Sequence, residues 1–165
     1  MATETLAIPK EAVLRFIVES ASSIQTPEES RDIPLVSLAS RMCYVWNRQI
    51  AVNLTEAFPD IKVALINDVD AKANLNGKLG HTIGIGIYKG ELFAYDVSIA
   101  QQGGKHEKRP VRIWQGSSKS LQTQLVDTFG GSWKIINTAV DFLTGKSNFP
   151  GAQIPYFHTH NSVEW

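Results

Sequence analysis

A stretch of alternating residues in the middle of the chain constrains its fold most strongly. Residues 81–88 alternate at a period of two, and residues 91–98 form a second stretch of strand-like composition. Lys89-Gly90 lies between them and supplies a two-residue turn, so together they predict a β-hairpin. A turn of this length also sets which residues face each other across the two strands.

In that register, His81 and Asp96 are diagonal neighbours on one face of the sheet, within reach of a hydrogen bond. The same face carries isoleucine and leucine side chains, so an ionised Asp96 needs a cationic or hydrogen-bonding partner, and His81 is the nearest one. A longer loop over residues 88–91 would shift the pairing by one residue and separate the two side chains.

Amphipathic helices are predicted before and after the hairpin in the sequence. They span about residues 9–23, 35–58, 118–129 and 133–143, and short strands are expected at 61–66 and 111–114. The fold class is therefore α+β, with helices packed on one face of an antiparallel sheet centred on the hairpin. We expect a single domain over residues 1–165, with an irregular tail from about residue 146.

Charge and cysteine content narrow the class of partner and the compartment. Sixteen basic residues balance sixteen acidic ones, which predicts neither nucleic acid nor a membrane as the main partner. The locally basic stretch 105–112 is expected to be a solvated loop. A single cysteine allows no internal disulfide, and no secretory signal is evident, so the expected location is cytoplasmic, with specialised export left open. The sequence predicts no particular oligomeric state.

The single cysteine combines with the hairpin to suggest a nucleophilic site. Cys43 lies on the predicted buried stripe of the second helix, and His81 and Asp96 follow it in chain order. A thiol nucleophile needs a base, and the base needs a group that orients it. The three residues are thus the predicted catalytic set, with no cofactor and no metal.

Three stretches carry a resemblance to a known superfamily. They are Arg41-Met42-Cys43-Tyr44-Val45-Trp46-Asn47, Gly80-His81-Thr82-Ile83-Gly84-Ile85 and Tyr95-Asp96. In order and spacing, over residues 35–98, the chain resembles the papain-like thiol enzymes in the broad sense. That superfamily includes transglutaminase-like proteins, arylamine acetyltransferases and papain-fold toxin or deamidase domains. Arg41 and Met42 stand where small residues commonly precede the cysteine, which disfavours the arylamine acetyltransferases.

The resemblance implies a papain-like core and a cysteine-dependent acyl transfer or amide hydrolysis, as in a protease, amidase, deamidase or transferase. His81 would take the proton of Cys43, and Asp96 would hold the imidazole, so that a protein or small-molecule acyl substrate forms a thioester. Water or an amine then resolves the thioester. The backbone N–H of Cys43 and a side chain such as Gln101 are candidate oxyanion donors.

Two alternatives remain open from the sequence. The first is an inactive papain-like domain or an unrelated α+β binding module whose hairpin presents Gly84 and Gly86 to a partner, although these glycines equally suit packing under a helix. The second alternative is a metal site in the tail, where His158 and His160 share one side of an extended segment and Glu164 or His106 supplies a third ligand.

Overall fold

The computed structural model describes residues 10–25, 32–39, 42–68, 81–106, 108–136 and 159–160. The helices are α1 (Lys10–Gln25), α2 (Leu35–Ala39), α3 (Cys43–Ala57) and α4 (Ser118–Phe129). The strands are β1 (Lys62–Asp68), β2 (Thr82–Tyr88), β3 (Glu91–Asp96), β4 (Arg112–Gln115), β5 (Trp133–Ile136) and β6 (Thr159–His160). Two short 3₁₀ helices, Ile99–Gln102 and Gly104–His106, lie between β3 and β4.

The strands form a six-stranded sheet in the order β4-β3-β2-β1-β5-β6. The first five strands pair antiparallel, and β6 joins β5 in parallel at the edge. The predicted α+β class, with helices packed on an antiparallel sheet, is confirmed at this level. No helix in the described ranges is both long and apolar enough to cross a membrane.

The hairpin has the predicted turn and register. Lys89 and Gly90 have φ values of 52° and 81°, and positive φ at both central residues gives the turn the twist that neighbouring strands require. Tyr88 pairs with Glu91, and further along the strands Ile85 pairs with Ala94. The alternative with a longer loop is therefore wrong.

The sheet is covered on both faces, which corrects the expectation that helices pack on only one. Helices α1 and α3 bury Val13, Ile17, Ile50 and Leu54 against Val63, Phe93 and Tyr95. On the opposite face, α4 buries Leu121 and Leu125 against Ile83, Ile85, Ala94 and Trp114. The alternating pattern of β2 indicated that one face of the strand is exposed to solvent. The small residues on that face are glycines, and aromatic rings cover them.

Two predicted helices were wrong in extent or type. The predicted helix 35–58 is two helices, α2 and α3, and Met42 donates its N–H to Ala39 O at the junction. The four-residue step from Ala39 to Cys43 fits a continuous helix, so spacing alone could not reveal the break. The predicted helix 133–143 begins instead as strand β5, because β1 offers an open edge where Ile66 pairs with Ile135. Residues 137–143 lie outside the described part of the chain.

The glycines of β2 pack beneath aromatic side chains of this chain. Gly84 pairs with Tyr95 and Gly86 pairs with Phe93, and each ring lies where a glycine-to-alanine change would place a methyl group. The Tyr95 hydroxyl in turn donates to Asn47 O at 3.0 Å. The glycines are thus covered by β3 rings that themselves pack with α1 and α3, so the interpretation in which they face a partner is wrong, and a helix covers them only through those rings.

We expect Gly84→Ala to destabilise the protein by about 1–3 kcal/mol, because the added methyl forces the Tyr95 ring out of its position. Urea unfolding of the variant measures the loss. The matched control is the same change in a Tyr95→Leu background, where removal of the ring should shrink the cost. An equal cost in both backgrounds would show that the ring is not the cause.

Candidate functional site

Three elements meet at one end of the hairpin. His81 immediately precedes β2, Asp96 ends β3, and Cys43 is the first residue of α3. The two strand residues are brought together by the register of the hairpin, and α3 delivers its first turn to the same end because the helix packs on the β2–β1 part of the sheet.

His81 and Asp96 form a buried pair, which confirms the predicted hydrogen bond between them. His81 Nε2 lies 2.6 Å from Asp96 Oδ2, and the two residues are 2 % and 0 % exposed. Burial opposes the charge on His81, but the attraction of the Asp96 carboxylate outweighs it and raises the pKa of His81 to about 10. The favoured state of the pair is therefore imidazolium with carboxylate.

The second carboxylate oxygen of Asp96 accepts hydrogen bonds from donors that the sequence analysis did not predict. Asp96 Oδ1 accepts from Ser98 N at 2.8 Å, Ser98 Oγ at 2.7 Å and Asn47 Nδ2 at 3.1 Å. Burial by itself raises the pKa of Asp96, yet the charge of His81 and these hydrogen bonds lower it below its ordinary value. The carboxylate thus stays ionised although no water reaches it.

Asn47 links the helix that carries Cys43 to both strands of the hairpin. Its Nδ2 also donates to Cys43 O at 2.9 Å and Thr82 O at 3.0 Å, and its Oδ1 accepts from Val97 N at 2.9 Å. The side chain is fully buried. The sequence feature that could have identified Asn47 is its position as a polar residue one helical turn after Cys43, on an otherwise apolar stripe.

Cys43 lies at the start of a helix rather than inside one. It is half-buried and follows Met42, whose φ of −98° and ψ of 5° precede the 15-residue helix α3. The first turn of a helix has free backbone N–H groups and a positive partial charge, both of which favour a thiolate.

The pKa of the Cys43 thiol reflects its neighbours. Burial raises it, but a side-chain hydrogen bond and a charge interaction with His81 act in the opposite direction, together with a hydrogen bond from the Thr82 backbone. The net effect lowers the pKa below its ordinary value of 9.0. The thiol is therefore more acidic than a free cysteine side chain.

The two ring nitrogens of His81 have different partners. Asp96 takes Nε2, and the Gln101 side-chain nitrogen lies 2.7 Å from Nδ1. With the Nε2 proton donated to Asp96, Nδ1 is the ring atom left to exchange a proton with the thiol. Gln101, a predicted candidate oxyanion donor, thus lies beside the reactive end of the imidazole.

Aromatic side chains enclose the imidazole ring. The ring centroids of Phe129 and Trp133 lie 5.0 Å and 6.2 Å from that of His81. Phe129 also contacts Trp114, with centroids 5.6 Å apart. These rings come from α4, β5 and β4 on the face opposite α3, so the site is built from both faces of the sheet.

The metal alternative stays a prediction. His158 and Glu164 lie outside the described residues, and His160 is described only as part of β6. Within the described ranges, no group of three or more His, Cys, Asp or Glu side chains is placed to hold a metal ion.

Comparison with known proteins identifies no relative: no protein-family model, no curated protein sequence and no solved structure matches this chain.

Proposed function

We propose that the chain is a cysteine-dependent acyl-transfer or amide-hydrolysing enzyme with a papain-like Cys-His-Asp core. Cys43 is the nucleophile, His81 is the base and Asp96 orients the imidazole. The observation that carries the proposal is a half-buried thiol at the first residue of α3, beside an imidazole already paired to a buried carboxylate, and the lowered pKa of the thiol supports it.

The first half of the reaction forms a thioester. The reaction starts from the Cys43 thiolate with the proton already on His81 Nδ1, the state that the raised pKa of His81 and the lowered pKa of Cys43 favour, and the thiolate sulfur bonds to the carbonyl carbon of the substrate. The carbonyl electron pair moves to oxygen and then returns as the bond to the leaving group breaks. The imidazolium protonates that leaving group, and Asp96 keeps the second ring proton on Nε2 throughout.

The second half of the reaction regenerates the thiol. Water or an amine loses a proton to His81 and attacks the thioester carbon, after which sulfur leaves and recovers its proton. The developing oxyanion is held by the Cys43 backbone N–H, aided by the start of α3, and by the Gln101 side chain. Water as acceptor makes the protein a hydrolase or deamidase, and an amine makes it a transferase.

Acyl-enzyme trapping tests the proposal with p-nitrophenyl acetate as a generic acyl donor. The full chain is expected to release a burst of one nitrophenolate per molecule and to gain one acetyl group on Cys43, detected by mass spectrometry after acid quenching. Cys43→Ala should show neither, while losing only about 1–2 kcal/mol of stability, as expected for truncation of a small partly buried side chain.

A matched control separates catalysis from simple thiol acetylation. His81→Asn keeps the thiol and a polar side chain next to Asp96 but removes the imidazole that activates the thiol. Acetylation of Cys43 in this variant should therefore be much slower at neutral pH. Equal acetylation rates in the two proteins, or full biological activity of Cys43→Ala, would contradict the proposal and favour a non-catalytic binding module.

A further inference from the structure

The basic stretch that runs from the second 3₁₀ helix into β4 lies beside the candidate site. It carries Lys105, Lys108, Arg109 and Arg112 against one acidic residue, Glu107, which gives a local charge of 4 − 1 = +3. The ion pairs between Lys10 and Glu91 and between His81 and Asp96 do not involve this stretch. Asp96, whose charge acts on His106, is the described carboxylate that lies near these cations, and it is already paired with His81.

His106 is buried among these cations with a polar atom unused. The residue is 7 % exposed, and its Nδ1 has no hydrogen-bond partner among the described residues. Burial and the charges of Arg109, Lys105 and Arg112 lower the pKa of His106 and outweigh the opposing effect of the Asp96 carboxylate, so the imidazole is neutral near pH 7. A buried polar atom without a partner is costly, and here it lies in a field that favours an anion.

Arg112 connects this stretch to the reactive residues. Its Cα pairs with that of Asp96 across β3 and β4, and its guanidinium lies 5.4 Å from the ring centroid of Trp114. Trp114 contacts Phe129, which contacts His81. Trp114 Nε1 is a second buried atom that lacks a partner among the described residues. The basic stretch and the thiol site thus share one aromatic wall.

The backbone of the stretch is held in place from α1. The buried Gln25 side chain donates hydrogen bonds to two carbonyl oxygens. One belongs to Val97, the residue that follows Asp96, and the other belongs to Pro110 in the basic stretch. His106 N also donates to Gly103 O, and Arg109 N to His106 O, both at 2.9 Å. The basic side chains are therefore attached to a backbone that hydrogen bonds hold in place, which reduces the entropic cost of binding a ligand there.

We propose that Lys105, His106, Arg109 and Arg112 form a subsite for an anionic group of the substrate, a carboxylate or a phosphate. The inference rests on the proposed function, because it names the class of acyl substrate that the thiol site would accept. Arginine binds both groups in a bidentate manner, and the neutral imidazole adds a donor from its unused nitrogen. A bound anion also relieves the mutual repulsion of the cations.

Binding is tested on the full wild-type chain by NMR of the His106 imidazole, assigned with His106→Asn. Inorganic phosphate and glutarate are titrated separately, against sodium chloride at equal ionic strength. We expect saturable shifts with at least one anion, and a rise in the His106 pKa when it is bound. A preference for phosphate indicates a phosphorylated substrate, and a preference for glutarate indicates a carboxylate.

Charge variants locate the subsite. Arg109→Gln and Arg112→Gln should each weaken binding by about tenfold, the effect expected for loss of one charged hydrogen-bonding partner. Lys119→Gln, which removes an exposed charge from α4, should leave the affinity unchanged. The absence of saturation, or shifts that chloride reproduces, would overturn the subsite. Because the readout needs no chemistry, that outcome leaves the acyl-enzyme experiment to decide the catalytic proposal separately.

Discussion

The His81→Asn protein is expected to alkylate at Cys43 with a pH midpoint above 9.0, whereas the wild-type midpoint lies below 9.0. Burial raises the pKa of the thiol, and the hydrogen bond and charge of His81 are the main opposing effects. Removal of His81 therefore leaves burial dominant. The rate of iodoacetamide alkylation, measured against pH, gives both midpoints.

The same substitution should also slow thioester formation. Loss of a positioned general base typically costs about 10²–10⁴-fold in rate. Asparagine can still donate a hydrogen bond to Asp96, so the variant tests the base with less disturbance to the carboxylate than alanine would cause. Lys119→Gln serves as the control for removal of one cation and should keep the wild-type midpoint. Coincident pH profiles for wild type and His81→Asn would exclude His81 as the group that activates Cys43.

Asp96→Ala is expected to lower the free energy of unfolding by about 3–5 kcal/mol, the usual cost of removing one partner of a buried ion pair. The carboxylate is fully buried and accepts hydrogen bonds from Ser98 and Asn47 as well as His81. Its removal leaves those donors without an acceptor in a dry interior. Urea unfolding measures the loss, and Asp96→Asn, which keeps the shape and one acceptor oxygen, should lose less.

The stability difference between wild type and Asp96→Ala should depend on pH in a defined direction. The pKa of Asp96 is lowered from 3.8, so its contribution is present above pH 3.8 and is lost as pH falls through the lower folded-state value. The pKa of His81 is raised from 6.5 to about 10, so its contribution is present below pH 6.5 and is lost as pH rises towards 10. The difference is thus largest between pH 3.8 and pH 6.5. A constant difference as pH rises from 6.5 to 10 would show that the pair does not titrate as a unit.

Local sequence determined the hairpin and helix α4. The turn at Lys89-Gly90 needs positive φ at two successive residues, which only a few short sequences provide, and it sets the register that pairs His81 with Asp96. Helix α4 begins after Ser117, whose hydroxyl accepts from Ser120 N, and ends at Phe129, which Gly130 follows with φ of 80°. Such signals depend on backbone preferences and bonds between near neighbours, so they can be identified from the chain alone.

Tertiary packing determined three features: the first residue of α3, the strand conformation of residues 133–136, and the contacts of Asn47 in the candidate site. Apolar residues three or four apart are compatible with both a continuous and an interrupted helix, so the spacing could not place Cys43 at a helix start. Trp133 to Ile136 became β5 because pairing with the open edge of β1 satisfies its backbone groups. Asn47 gains its role only because α3 lies against the ends of β2 and β3, where a single amide reaches groups 35 to 50 residues away from it in sequence. Contacts of this kind depend on how whole elements pack, and no local preference encodes them.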